Sequence, residues 1–508
     1  MMMKKLLFSS LFLLGSLVSQ AQHEYTIEGE VKGVKDGTHV SLFLTDGRVG
    51  SIVGTDTIRN GTFFFKRNAG ESGMDQLSLM CRDTDFPPMS LDIYATPGAK
   101  IKVTGTNPLI YTWRVDSPVK EQQEHNRFIE DSRDLWDEFQ RLAIKERSMR
   151  SASEAERKAL RTKSDSISSI INQRELKLMK ELPISNVWME KLLRLSMSLK
   201  YNSRFTNKEE ILALYDRLNE EQKASIEGQE VRVNLFPPKT VKEGDDMADA
   251  DLFDLDGKVH HLADFKGKYM LLDFWSSGCG PCIMALPEMK EIQEQYKDRL
   301  TIISLSSDTQ TRWKAASAQH EMTWQNLSDL KQTAGLYAVY DVNGIPNYVL
   351  ISPEGKIVKM WSGYGKGSLK LKMRRYLDAP KREMSITGDT NRKVVNHPSF
   401  ESTNTDILEV KQVELTDTAT IVHFYAYYIP KYWIQVSVNA KLVDEQGASY
   451  ALQKADGITP GKHFFLPESG EAEFSLTFKP LPLKTKSFNF TEGTAKKDWQ
   501  INGIKLTK

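Results

Sequence analysis

Cysteine is almost absent from this chain. Three residues in 508, Cys81, Cys279 and Cys282, are too few to staple so long a fold with disulfides. Charge of one sign is equally lacking: 68 basic against 67 acidic residues leave a formal net charge of +1. Such a balance offers no electrostatic footprint for nucleic acid or an anionic membrane surface. Beyond the first residues, no run approaches the ~20 apolar residues of a membrane-spanning helix. His423 and His463 lack ligand spacing, so no metal is expected there, and no pattern asks for a cofactor.

What is present begins with Met1-Met-Met-Lys4-Lys5, an apolar stretch from Leu6 to Val18, and small residues at Ser19-Gln20-Ala21. These are the three regions of a secretory signal peptide, expected to span 1–21 with cleavage after Ala21. Gln22 would then come first, so no cysteine is placed for a lipid anchor. The mature protein is expected to be exported to the periplasm, soluble and without membrane insertion, in a compartment where disulfides persist.

The richest segment is Trp275-Ser276-Ser277-Gly278-Cys279-Gly280-Pro281-Cys282, which follows the apolar run Tyr269-Met-Leu-Leu-Asp-Phe-Trp275. The run reads as a buried strand, and Ile283, Met284, Leu286, Met289 and Ile292 continue with a helical period. Both cysteines therefore fall at a strand-to-helix junction. Unsatisfied N–H groups and partial positive charge at a helix start stabilise a thiolate on Cys279, the nucleophilic form, whose pKa falls from ~8.5 to between ~3.5 and ~7.5 in such settings. Cys282, one turn further in, can close a disulfide with it. Structural zinc would need four ligands, and only Cys81 remains. A c-type haem site would need His where Ile283 stands. Peroxidase chemistry would need Pro where Leu272 stands, although Ser276 is available. A redox-active dithiol is the reading that survives beside an inert disulfide.

With these residues in view, 240–377 resembles a thioredoxin-fold domain of the TlpA/ResA-like thiol–disulfide oxidoreductases. The resemblance rests on Asp251-Leu-Phe-Asp-Leu-Asp-Gly257, Leu262-Ala-Asp-Phe-Lys-Gly-Lys268, the strand ending Asp273-Phe-Trp, Cys-Gly-Pro-Cys, Pro287 and Gly344-Ile345-Pro346. It implies that Pro346 is a cis-proline against the disulfide, leaving the main chain of Ile345 free to pair with an extended substrate strand. An ordinary turn proline is the bland alternative. Trp275, Ile345 and Pro346 are the expected substrate-binding residues. The resemblance also implies that Asp273 is a carboxylate beneath the resolving thiol; apolar neighbours desolvate it, so its pKa should rise and let it relay the Cys282 proton. The alternative is a satisfied polar residue at a strand end. Pro287 removes a backbone bond from the following helix. Two departures stand out: Gly278 replaces a Trp common in relatives, and Ala285 stands where cytochrome-maturation members carry an acid. Glu288, nearly a turn further along, is expected to face solvent.

The fold class expected is multidomain α+β. An antiparallel N-terminal β-sandwich occupies 22–115, from strands such as Tyr25-Thr-Ile, Val40-Ser-Leu-Phe-Leu, Gln76-Leu-Ser-Leu-Met-Cys81 and Lys100-Ile-Lys-Val. It resembles the β-sandwich preceding this redox domain in exported Bacteroidetes proteins. A helical domain follows at 116–236, where Phe128, Leu135, Phe139 and Leu142 line one face and Trp188, Leu192, Leu193 and Leu195 another. Pro237-Pro238 opens the α/β thioredoxin-like domain, 237–380, and Ala379-Pro380-Lys381 leads into a C-terminal β-sandwich, 381–508. There the strands Thr420–Tyr425, Trp433–Val438 and Ala472–Phe478 are expected. The aromatic group Tyr425, Tyr427, Tyr428, Tyr432 and Trp433 reads as sandwich packing or as a surface for a sugar or extended peptide. Cys81 reads as a buried inert thiol.

The function expected is a periplasmic oxidoreductase whose catalytic residues are Cys279, Cys282 and Asp273. Gly280-Pro281 is the dipeptide of reducing thioredoxins, so reduction of protein disulfides is the expected direction, with a membrane electron donor of the DsbD or CcdA type implied by the resemblance. The competing readings are an oxidase or isomerase, and a binding protein that keeps the thioredoxin fold as scaffold.

Overall fold

A computed structural model describes residues 24–46, 49–70, 73–149, 153–201, 205–378, 383–493, 495 and 497–507. The expected leader, 1–21, and the Ala379-Pro380-Lys381 junction lie outside the described residues. The chain divides into two compact units, one taking residues up to Lys266 with Leu272–Gly280 and Ile303–Met360, the other Gly267–Leu271, Pro281–Ile302 and Trp361–Lys508.

In the first unit, alternating apolar residues build two four-stranded sheets. One runs Thr62–Asn68, Glu24–Val31, Lys100–Gly105, Arg114–Asp116; the other Val49–Thr57, His39–Asp46, Asp75–Cys81, Leu91–Ala95. Asp75–Cys81 is buried at every second residue, the period of a strand with one covered face. The sheets are not wholly antiparallel as expected: Glu24–Val31 pairs in parallel with Lys100–Gly105. Parallel neighbours need a crossover connection, and the whole second sheet is built within that connection. Gly29 is required where it stands, since a Cβ there would sit 2.1 Å from the Phe63 ring.

The helices that follow bury Phe128, Trp188, Leu192 and Leu195 in the same cluster as Tyr25, Leu42, Leu77 and Ile93. Sandwich and helices thus share one core. The expected Phe128–Leu142 stripe is split. Lys120–Asp131 ends at Ser132 and Arg133–Ser148 begins after it, so Phe128 enters the shared core while Leu142 packs with Trp136 in a separate cluster. The helix Glu154–Glu181 opens on a capping box between Ser153 and Glu156, which satisfies two backbone donors left over at a helix start.

A five-stranded sheet has the order Gln325–Leu327, Leu300–Ser306, Tyr269–Trp275, Asn347–Ile351, Ile357–Ser362. Its central strand is buried from Met270 through Trp275, as a strand covered on both faces must be. The helix Gly280–Tyr296 starts just beyond that strand and contains Pro287, whose ring nitrogen donates nothing to the carbonyl of Ile283 one turn earlier.

In the second unit, ten C-terminal strands form one antiparallel succession from Ser385–Gly388 to Ser402–Thr403. Ser449–Asp456 pairs with Lys441–Asp444 on one side and Glu471–Phe478 on the other. The two halves of this sheet close over a single core, where the Phe424 and Phe490 rings lie 5.0 Å apart. The expected strand Trp433–Val438 is shorter than expected: Trp433–Ile434 alone pairs, with Phe464–Phe465. Beyond that pair the Gly461 N–H still donates to the Val436 carbonyl at 2.8 Å, while Pro460 and Pro467, with no N–H to donate, flank the partner segment. The aromatic group divides into pairs, Tyr425 with Tyr427 at 6.0 Å and Tyr428 with Tyr432 at 6.3 Å, with Tyr427 buried under the Arg374 guanidinium and Trp433 exposed and stacked at 3.9 Å on His463. Among the described residues, no helix is long and apolar enough to cross a membrane.

Candidate functional site: the Cys279–Cys282 junction

The strand Tyr269–Trp275 ends at a turn, and the helix begins at Gly280. Cys279 therefore takes the capping position, where helix N–H groups converge. Its own N–H donates to the Ser276 carbonyl at 3.0 Å. Cys279 and Cys282 are disulfide-bonded. They differ in access: Cys279 is half-buried, whereas Cys282 is 2% exposed. Any partner sulfur approaching from solvent meets Cys279 first.

Asp273 lies in the strand and is 2% exposed. Its Oδ2 accepts the Ser304 hydroxyl at 2.7 Å, and the Ser304 oxygen in turn accepts the Trp324 indole N–H at 2.8 Å. The Asp273 Oδ1 is buried without a hydrogen-bond partner. Burial pushes this carboxyl up to about 7, the Ser304 hydrogen bond opposing the rise. A carboxyl that holds its proton near neutrality can accept one or give one up at working pH.

Ile345 and Pro346 are joined by a cis bond, with Ile345 half-buried and Pro346 buried ahead of the strand Asn347–Ile351. Trp275 departs from its expected substrate-binding role. It is 1% exposed, so its ring has no face to offer an incoming chain. The last strand residue before the turn packs inward, and its carbonyl lies 2.8 Å from the Tyr337 hydroxyl. The same hydroxyl lies 2.8 Å from the Leu305 carbonyl, tying two strand ends together. Glu288 also departs from expectation. It is 7% exposed rather than solvent-facing, and its carboxylate accepts the N–H groups of Gly367 at 2.7 Å and Lys370 at 3.0 Å. It caps the helix Ser368–Leu377, which has no capping side chain of its own.

A further carboxylate, Asp308, went unremarked in the sequence. It follows the strand Leu300–Ser306, is 7% exposed, and accepts from both Ser276 Oγ and the Ser277 N–H at 2.7 Å. The only signal was its place just after a buried strand, where sites in sheets of this kind gather.

Cys81 is 2% exposed, and burial, with Asp83 and Asp85 adding to it, pushes its thiol up to about 12. Such a thiol is a weak nucleophile. Alkylation of the reduced, folded protein near pH 7, read by peptide mass, is expected to label Cys279 first and leave Cys81 untouched until denaturant is added. Labelling of Cys282 ahead of Cys279 would reverse the assigned roles. Among the described residues, no cluster of His, Cys, Asp and Glu is placed to hold a metal ion.

The middle part of the chain is similar to known proteins. The model of the AhpC/TSA family matches residues 244–360. Thioredoxin-like protein YneN of Bacillus subtilis is 30% identical over 121 residues, 23% of this chain and 69% of that protein. Thiol-disulfide oxidoreductase ResA of Geobacillus thermodenitrificans is 31% identical over 139 residues, 27% of this chain and 79% of that protein. Against ResA of Bacillus cereus the match is 33% identical and spans 21% of this chain and 61% of that relative. Among solved structures, the thioredoxin domain of a thiol-disulfide oxidoreductase from Bacteroides vulgatus is 29% identical, covering 27% of this chain and all of that one, at a TM-score of 0.26. A thioredoxin-like domain with the Cys279–Cys282 disulfide at its strand-to-helix junction is the class defined here. The chain belongs to the thioredoxin-like thiol–disulfide oxidoreductases that include ResA.

Proposed function

We propose that the chain is an exported, periplasmic reductase of protein disulfides, working through Cys279 and Cys282. The observation that carries this reading is the asymmetry of the pair: one half-buried sulfur at a helix start and one buried a turn inside it. In the reduced protein, the Cys279 thiolate attacks a substrate disulfide. A mixed disulfide forms and one substrate thiolate leaves, taking a proton from solvent. Cys282 then passes its proton to Asp273 and attacks the Cys279 sulfur. The second substrate thiolate leaves, Asp273 gives up its proton to it by way of solvent, and the Cys279–Cys282 disulfide remains. Ile345 and Pro346 are assigned to hold the substrate main chain during the exchange. Each turnover consumes two electrons and two protons. A dithiol donor must return them, for which a membrane protein of the DsbD or CcdA type is suited.

Equilibration with thiol buffers tests the direction. The Cys279–Cys282 couple is expected closer to about −270 mV, the value of reducing thioredoxins, than to the about −120 mV of strong periplasmic oxidants. The protein is also expected to reduce insulin disulfides when supplied with a dithiol. A potential above about −150 mV would reject the reductase assignment in favour of disulfide formation or isomerisation.

A further inference from the structure

We infer that Asp308 is a positioning residue for the Cys279 sulfur and sets its reactivity through both geometry and charge. This inference rests on the reading of Cys279 as the attacking thiol. The turn between strand and helix has few anchors of its own. Ser276 Oγ donates to Asp308 Oδ1 at 2.7 Å and the Ser277 N–H donates to Oδ2 at 2.7 Å. Ser306 Oγ lies 3.4 Å from the same Oδ2, and the Asp308 N–H donates back to it at 3.1 Å. The grip extends further. Ser276 Oγ accepts the Gly278 N–H at 3.3 Å, and the Ser276 carbonyl accepts the Cys279 N–H at 3.0 Å. Every residue from Ser276 to Cys279 is therefore tied to Asp308 directly or through Ser276.

Three donors converge on the two oxygens, the acceptor pattern of an ionised carboxylate. Asp308 is 7% exposed, so water screens it poorly. A poorly screened negative charge beneath the turn disfavours a second one on Cys279. It opposes the pull of the helix start on the thiolate and so holds the couple toward the reducing side.

Asp308→Asn preserves the side-chain shape and one acceptor oxygen while removing the charge. In the folded variant, the pH profile of Cys279 alkylation is expected to move about one pH unit lower. The dithiol–disulfide equilibrium with glutathione is expected to shift about tenfold toward the dithiol, which is ~30 mV more oxidising. Neither readout uses a substrate, so failure of the reductase reading leaves them interpretable. Ser276→Ala keeps the charge but cuts the tie to Gly278. It is expected to slow insulin reduction about fivefold while the alkylation profile stays in place, and it also serves if Asp308→Asn does not fold. A folded Asp308→Asn with both the profile and the equilibrium within twofold of wild type would overturn the charge role. Ser276→Ala at wild-type turnover would overturn the positional role.

Discussion

Replacing Cys282 with Ser is expected to cut insulin reduction at least about a thousandfold, since removing one member of a group that acts as a unit removes most of its catalysis. Attack, however, survives. Cys279 keeps its half-buried place at the start of Gly280–Tyr296, so the first exchange proceeds and the mixed disulfide accumulates for want of a resolving thiol. Non-reducing electrophoresis should show a substrate adduct that dithiothreitol dissolves. Cys279→Ser differs in kind: it loses turnover to the same extent and forms no adduct, because Cys282 at 2% exposure is closed to a protein disulfide. Equal adducts from both variants would show that either sulfur can be reached and would end the division of labour. The Cys282→Ser adducts formed in the native host also identify the substrates.

The strand-to-helix junction that carries Cys279 and Cys282 was legible in the sequence because its parts are local. A continuous apolar run can only be a doubly covered strand or a buried helix, and the CGPC tetrapeptide directly after it selects the junction. Asp273 stood out as the one acid in that run. Glu288 was misread because its partners, Gly367 and Lys370, lie 79 and 82 residues away. Helical spacing gives the face a residue occupies but not what covers that face. Trp275 was misread for a related reason: an aromatic beside a reactive cysteine looks like a wall of the site, while its strand register turns it into the core. Asp308 is joined to the turn across 31 and 32 residues, a link that only the alignment of two neighbouring strands creates. At the two ends of the chain, alternation revealed strands readily, but not the parallel pair of Glu24–Val31 with Lys100–Gly105, since periodicity carries no information about strand direction.

Asp273→Asn is expected to stabilise the oxidised protein by about 4 kcal/mol at pH 8 and hardly at all below pH 4. The argument is one of proton linkage. Burial holds the folded carboxyl at about 7 against an ordinary value of 3.8. Between those values the folded chain keeps a proton that the unfolded chain releases. Stability therefore falls as pH rises through that window and stays lowered above it. About three pH decades at about 1.4 kcal/mol each give the size. Asn cannot ionise and still accepts from Ser304, so the variant escapes the loss, and below pH 4 both chains are neutral at this position. Hydrogen exchange in the strand Tyr269–Trp275 measures the effect where it arises. The variant should exchange more slowly than wild type at pH 8 and at a similar rate near pH 4. The same substitution removes the proton acceptor assigned to Cys282, so single-turnover release of substrate should slow and lose its rise through pH 7. A variant less stable than wild type at pH 8 would mean that Asp273 is a satisfied structural acid, and its proton-relay role would fall with that result.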